Sequence, residues 1–150
     1  MTSVSPTTDR EPAGFGGWLV LIIILQVISL LYIAYMLLQM LGAYGSVFSR
    51  FPLAVIGEFL LNGALAVVVV ITTVQMFQKS SSFQTWYYRQ YWVSLAVPVV
   101  DWVWIAITIA APPGRYTEAL AMSWLIRLFI GGLLVTYVSQ SRRVENTFVQ

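Results

Sequence analysis

Cysteine and histidine are both missing from the 150 residues. Without cysteine there are no disulfides, no thiolate nucleophile, no Fe–S cluster and no cysteine-based zinc site. Without histidine the chain lacks the usual haem ligand, the commonest metal ligand and the usual acid–base side chain. Charge is scarce as well. Only 9% of residues are Asp, Glu, Lys or Arg, against about 25% in soluble domains. The net charge of +2 is small and scattered, which argues against nucleic-acid binding. No glycine-rich phosphate loop joins a strand to a helix, and no loop holds a nucleophile–base pair. The sequence therefore predicts no cofactor, no metal site and no catalytic residue. What it has in abundance is hydrocarbon: 59% of residues are hydrophobic and 15% aromatic. That excludes disorder and suggests a chain best divided by the roughly 20 apolar residues that cross a bilayer.

Four such segments are expected. Residues 1–17 are polar and interrupted by Pro6, Pro12, Gly14, Gly16 and Gly17, reading as a flexible tail. Residues 18–40 are almost continuously apolar, longer than a signal-peptide core and preceded by no strongly basic head. Gly42-Ala43-Tyr44-Gly45-Ser46 marks a break. Pro52 suits a first helical turn, where its missing N–H removes a donor that has no partner, and a second span covers about 53–77. After Lys79-Ser80-Ser81-Ser82 a third span runs over about 91–110 and stops at Pro112-Pro113-Gly114. Thr117 and Glu118 supply an N-cap and a first-turn acid for a fourth span, about 118–139. Residues 141–150 form a short basic tail. Val67 to Ile71 and Leu21 to Leu25 do not alternate apolar with polar, so a membrane β-barrel is excluded, and no internal repeat suggests an inverted-repeat transporter. The expected fold is all-α: a polytopic membrane protein whose domain, residues 18–140, is a bundle of four transmembrane helices.

With four spans, the N-tail, the middle loop and the C-tail share one side. They carry Arg10, Lys79, Arg89, Arg142 and Arg143, against Arg50 and Arg115 opposite. That asymmetry places both termini in the cytoplasm. The aromatic run from Trp86 to Trp92 fits an interfacial belt in which Arg89 meets phosphates, and residues 82–89 are expected as a short helix lying in the interface. Trp18, Trp86, Arg89, Tyr137, Arg142, Arg143 and Phe148 are the candidate lipid-interface or docking residues. Phe148 can fold back to the membrane or to the protein.

Three charges fall inside the spans: Glu58, Asp101 and Arg127. Ionisable groups are costly in lipid, so each should face protein or water and find a partner. At 1.5 Å of rise per residue they lie about 9, 13 and 15 Å below the same surface, depths at which one cluster is possible. Helical spacing puts Glu58, Asn62, Ala66, Val69 and Thr73 on one stripe, and Ser94, Pro98, Asp101, Ile105 and Thr108 on another. Ser123, Arg127 and Gly131 form a third, while the first span offers Gln26 and Ser29. The candidate intramembrane cluster is Glu58, Asn62, Asp101 and Arg127. It serves either as an ion pair that fixes the register of the bundle or as a site for a proton, cation or ligand. Pro98 removes a backbone hydrogen bond one turn before Asp101, so a kink or local exposure of carbonyls is expected there.

Two segments carry a family resemblance. Gly16-Gly17-Trp18-Leu19 opens the first span. Tyr137-Val138-Ser139-Gln140-Ser141-Arg142-Arg143-Val144-Glu145-Asn146-Thr147-Phe148 follows the pattern Tyr-x-x-x-Ser-x-Arg-Val-x-x-Thr-Phe. Both are similar to the signatures of the YdgK-like family, small bacterial inner-membrane proteins of unknown function with four predicted spans. The resemblance implies a bacterial inner-membrane location and a four-helix fold, and implies no activity.

The functional expectation is a non-enzymatic inner-membrane protein, an accessory subunit that packs against a larger membrane complex. Its partners are then the lipid bilayer and another membrane protein or further copies of itself. The alternative is a small oligomeric transporter or channel, coupled to protons or cations through Glu58, Asp101 and Arg127.

Overall fold

The computed structural model describes residues 14–109 and 114–148. The elements are α1 (Trp18–Phe48), α2 (Pro52–Phe77), α3 (Phe83–Ile109), α4 (Gly114–Ile126), a single π turn (Arg127–Gly131), α5 (Gly132–Gln140) and α6 (Arg142–Thr147). Among the described residues there is no strand. Four stretches are long and apolar enough to cross a bilayer: Trp18–Gly42, Pro52–Phe77, Phe83–Ile109 and Glu118–Gln140. The protein is an all-α, multi-pass membrane bundle. Helices satisfy every interior backbone group within one segment, which lipid requires. The side chains left outside the bundle are accordingly hydrocarbon, such as Leu31, Leu38, Ile107, Phe129 and Leu133, each at least 64% exposed.

The connections are set by local chemistry. The N–H groups of Arg50 and Phe51 both donate to the Val47 carbonyl, at 3.1 and 2.9 Å, and Pro52 starts α2 at once. At the other end of α2 the chain makes a Schellman closure. Lys79 takes the left-handed conformation, with φ +52°. Its N–H reaches Met76 O at 3.2 Å, and Ser80 N–H reaches Gln75 O at 3.0 Å. A non-glycine residue pays strain in that conformation, so this helix end lacks the glycine that usually signals it.

Helix ends differ from the sequence expectation in three places. Helix α1 runs through Gly42 and Gly45 to Phe48 instead of stopping at the glycine-containing segment, since each glycine costs a helix only about 1 kcal/mol. Helix α3 begins at Phe83 and absorbs the expected interfacial helix. Phe83, Tyr87, Gln90, Ser94, Val97 and Asp101 keep a single inward stripe, so one continuous helix buries Phe83, Val97 and Asp101 and half-buries the other three. Helix α4 begins at Gly114, which puts Thr117 inside the helix rather than at its cap. Within the short basic tail, residues Arg142–Thr147 form α6, capped by Ser141 and Phe148. The break at Pro112-Pro113 and the tail before Gly14 lie outside the described residues.

Helix α2 packs along both α1 and α3, and α3 receives the fourth span, whereas α1 and the fourth span approach each other little. The tightest core therefore sits at one end, where both termini and the α2–α3 connection meet. Leu19, Ile22, Met76, Phe83, Val138, Val144 and Phe148 form it. Phe148 stacks on Phe83 with ring centroids 4.3 Å apart. Thr147 ties the two ends of the chain together, its Oγ1 accepting from the Gly14 N–H at 2.8 Å. Gly17 enters α1 with φ +57° and ψ −138°, a conformation that favours glycine, and Arg143 lies against Gly16 where a methyl group would go.

Candidate functional site

The middle of the bundle holds polar side chains of two kinds. Toward the terminal end they satisfy one another. Gln26 of α1, 2% exposed, and Gln90 of α3 exchange amide hydrogen bonds of 2.9 and 3.0 Å. Gln26 Nε2 also reaches Thr73 Oγ1 of α2 at 3.0 Å, while the Thr73 hydroxyl donates to Val69 O at 2.7 Å. This network couples three helices through buried and half-buried groups that are costly to leave unpaired. Gln26 and Thr73 stand on the polar stripes of the sequence. Gln90 was hidden within the aromatic run and is the missing half of the pair.

Beyond this network the bundle opens into a cavity of about 390 Å³. All four helices contribute to its wall. Ser29 and Tyr32 come from α1, Glu58 and Asn62 from α2, Ser94, Pro98 and Asp101 from α3, and Ser123 and Arg127 from the fourth span. The cluster residues Glu58, Asn62, Asp101 and Arg127 thus share one cavity. A second cleft of about 300 Å³ adjoins it between α1 and the fourth span, and Ser29, Gln90, Ser94 and Arg127 line both.

Local rules explain how the wall is presented. Pro98 has no N–H, so the carbonyl four residues earlier, that of Ser94, loses its helical donor. Arg127 Nη1 supplies a replacement at 3.3 Å. One residue further on, the Trp124 indole donates to Leu95 O at 3.0 Å. The fourth span is therefore held to α3 through carbonyls beside the proline. Its π turn begins at Arg127 itself; such turns are frequent at functional sites. Tyr91 fixes that turn, donating its hydroxyl to Leu128 O at 3.0 Å, with its ring 2.8 Å from where a Cβ on Gly131 would stand. Helix α3 is likewise locked to α2, where the Trp104 indole fills the space beside Gly57 and donates to Leu53 O at 3.1 Å.

Hydrogen-bond accounting on the cavity wall is lopsided. The hydroxyls of Ser29, Ser94 and Ser123 donate to carbonyls of their own helices, at 2.8, 2.7 and 2.9 Å. Asn62 Nδ2 donates back to Glu58 O at 2.9 Å. Asp101 is 8% exposed, and its Oδ1 is buried without a hydrogen-bond partner. A buried carboxylate oxygen left without a donor is expensive. Among the described residues no group of three Asp or Glu gathers as metal ligands.

The interface candidates separate. Trp18, Arg89 and Arg142 are exposed. Arg89 lies over the Trp86 ring, 4.9 Å from its centroid. Tyr137 packs against the terminal core and Phe148 is part of it. Of the two destinations open to Phe148, the protein is the one observed. The π turn, the Tyr91 contact and the two indole–carbonyl bonds had no counterpart in the sequence reading. The signal for the first was Gly131-Gly132, which begins four residues after an intramembrane arginine.

No curated protein and no solved structure matches this chain. A family model does, over residues 12–149, a range that takes in both the Gly16-Gly17-Trp18 entry and the Thr147-Phe148 closure. The chain belongs to the family described as Protein of unknown function (DUF2569).

Proposed function

We propose that this DUF2569 protein is a YdgK-like, non-enzymatic protein of the bacterial inner membrane, with both termini in the cytoplasm, that binds and passes a small solute through its intramembrane cavity with proton or cation coupling. The observation that carries this reading is the meeting of Glu58, Asp101 and Arg127 on one cavity within the bundle. Charges at such depth mark ion and substrate pathways, and a volume of this size falls in the range of small-molecule sites. A bundle that needed its charges only for register has no use for a space between them. Four helices leave little room for a complete path, so the working form is a small oligomer. The sidedness follows from the five cations on the terminal side against two opposite.

An accessory role beside a larger membrane complex is the second reading. It draws on the short connections between α1, α2 and α3 and on the broad hydrocarbon face of α1. Reconstitution into proteoliposomes separates the two. Flux of protons or a cation that falls at least tenfold in Asp101→Asn or Glu58→Gln supports the transporter. No flux for protons and common cations favours the accessory subunit.

A further inference from the structure

We infer that the cavity takes an organic monocation: a primary ammonium carried on a compact apolar body. This rests on the reading of the cavity as the protein's binding site, and names the class of what is bound there.

Charge gives the first argument. Two carboxylates and one guanidinium line the space, a formal sum of −1. In a medium of low dielectric constant an unbalanced charge is costly. A monovalent cation brings the sum to zero. A zwitterion leaves it unchanged, and an anion makes it worse.

The sense of the hydrogen bonds gives the second. Ser29, Ser94 and Ser123 have committed their hydroxyl protons to their own helices, so what they offer a ligand is lone pairs. Asp101 Oδ1 is buried and lacks a donor, and ionised carboxylates only accept. Arg127 has already turned one N–H to the Ser94 carbonyl. The wall is rich in acceptors, and a primary ammonium brings three donors with a positive charge. A quaternary ammonium brings none and is held by aromatic cages. Among the described residues, Tyr32 is the one aromatic side chain on this cavity.

Size gives the third. About 390 Å³ is the volume of roughly a dozen water molecules at about 30 Å³ each. A bare inorganic ion leaves most of it unused, along with the hydrocarbon supplied by Ile33, Met36, Leu37, Leu65 and Val97. An alkyl body of a few carbons covers that surface.

The test is calorimetric binding to the purified full chain in nanodiscs, with n-alkylammonium ions from ethyl to hexyl as probes. Affinity is expected to rise about fourfold per methylene until the space is filled. Butanol, tetramethylammonium, glycine and butyrate are each expected at least tenfold weaker than butylammonium. Asp101→Asn should lose at least tenfold of butylammonium affinity. Glu58→Gln, read beside it, covers the case in which the first variant does not fold, and the comparison of butylammonium with butanol needs no variant. Glycine, butyrate or butanol binding as tightly as butylammonium overturns the inference, as does an Asp101→Asn protein that is folded and keeps its affinity. If no probe binds while cation flux still depends on Asp101, the ligand class is refuted and the transport reading stands. If neither binding nor flux is found, both fall.

Discussion

Pro98 and Arg127 are energetically linked if the guanidinium stands in for the N–H that proline lacks. Pro98→Ala restores that N–H, and the helix can then satisfy the Ser94 carbonyl itself. In the native background Arg127→Met removes the carbonyl's donor. In the Pro98→Ala background the same change leaves the carbonyl paired. Hydrogen bonds from charged donors contribute about 1.5–3 kcal/mol in soluble proteins, while interhelical bonds in membranes average about 0.6 and reach about 1.7 kcal/mol. At 3.3 Å this bond lies just beyond the usual N–H···O range, so the coupling should be about 1 kcal/mol. The measurement is a double-mutant cycle by equilibrium unfolding in mixed micelles, on the native chain, the two single variants and the double. Loss of Arg127's charge beside Glu58 and Asp101 occurs in both arms and cancels. Trp124→Phe serves as a control. Its acceptor, Leu95 O, has the Val99 N–H available with or without proline, so its coupling to Pro98→Ala should be smaller. Additivity of Pro98→Ala and Arg127→Met within about 0.3 kcal/mol refutes the substitution of guanidinium for amide.

Gly57→Ala should destabilise by about 1–3 kcal/mol because a methyl there meets the Trp104 ring. Gly16→Ala meets only the flexible end of Arg143 and should stay within about 0.5 kcal/mol; equal melting temperatures for the two variants contradict this. Gln26→Leu strands the Gln90 amide and should cost about 1–3 kcal/mol. The Gln26→Leu/Gln90→Leu pair should be milder than the sum of its singles, and a sum or worse in the same unfolding assay counts against the reciprocal pair. Phe148→Ala should lower stability by about 3 kcal/mol and make α6 sensitive to protease. An unchanged digestion pattern shows that α6 does not depend on the Phe83–Phe148 stack.

The spans were legible because lipid makes a single demand on sequence, a run of about 20 apolar residues, and four such runs stand apart here. The candidate cluster was legible for a related reason. Glu58, Asp101 and Arg127 are conspicuous in hydrocarbon, and helical spacing gives their faces. Partners chosen at close range were not legible. Gln90 sits among aromatics that suit an interface equally well, and only the rotation of α3 turns it toward Gln26. Lys79 ends α2 in a conformation that glycine adopts more cheaply, so no glycine announced it. The π turn depends on a Tyr91 ring 37 residues away from its Leu128 acceptor. Whether the 141–148 segment lay on lipid or on protein depended on the Phe83 ring beneath it, which no local pattern encodes.

The two halves of the bundle are built to different standards, and the difference bears on function. At the terminal end, aromatic stacking, the Thr147 tie and the Gln26–Gln90–Thr73 network leave the named polar groups paired and the core closed. In the other half, α1 and the fourth span stand apart around Asp101, whose oxygen goes without a donor. An apolar residue at position 101 removes that cost at once and is available by simple substitution. A buried acid held beside a cavity, on a helix already anchored by Trp104 and Tyr91, is therefore poorly explained by stability. The closed end supplies the rigidity that lets the open end keep an unfavourable group in place. Substitutions at Phe148 and Gln26 should accordingly fall on folding, and substitutions at Asp101 on what the cavity binds.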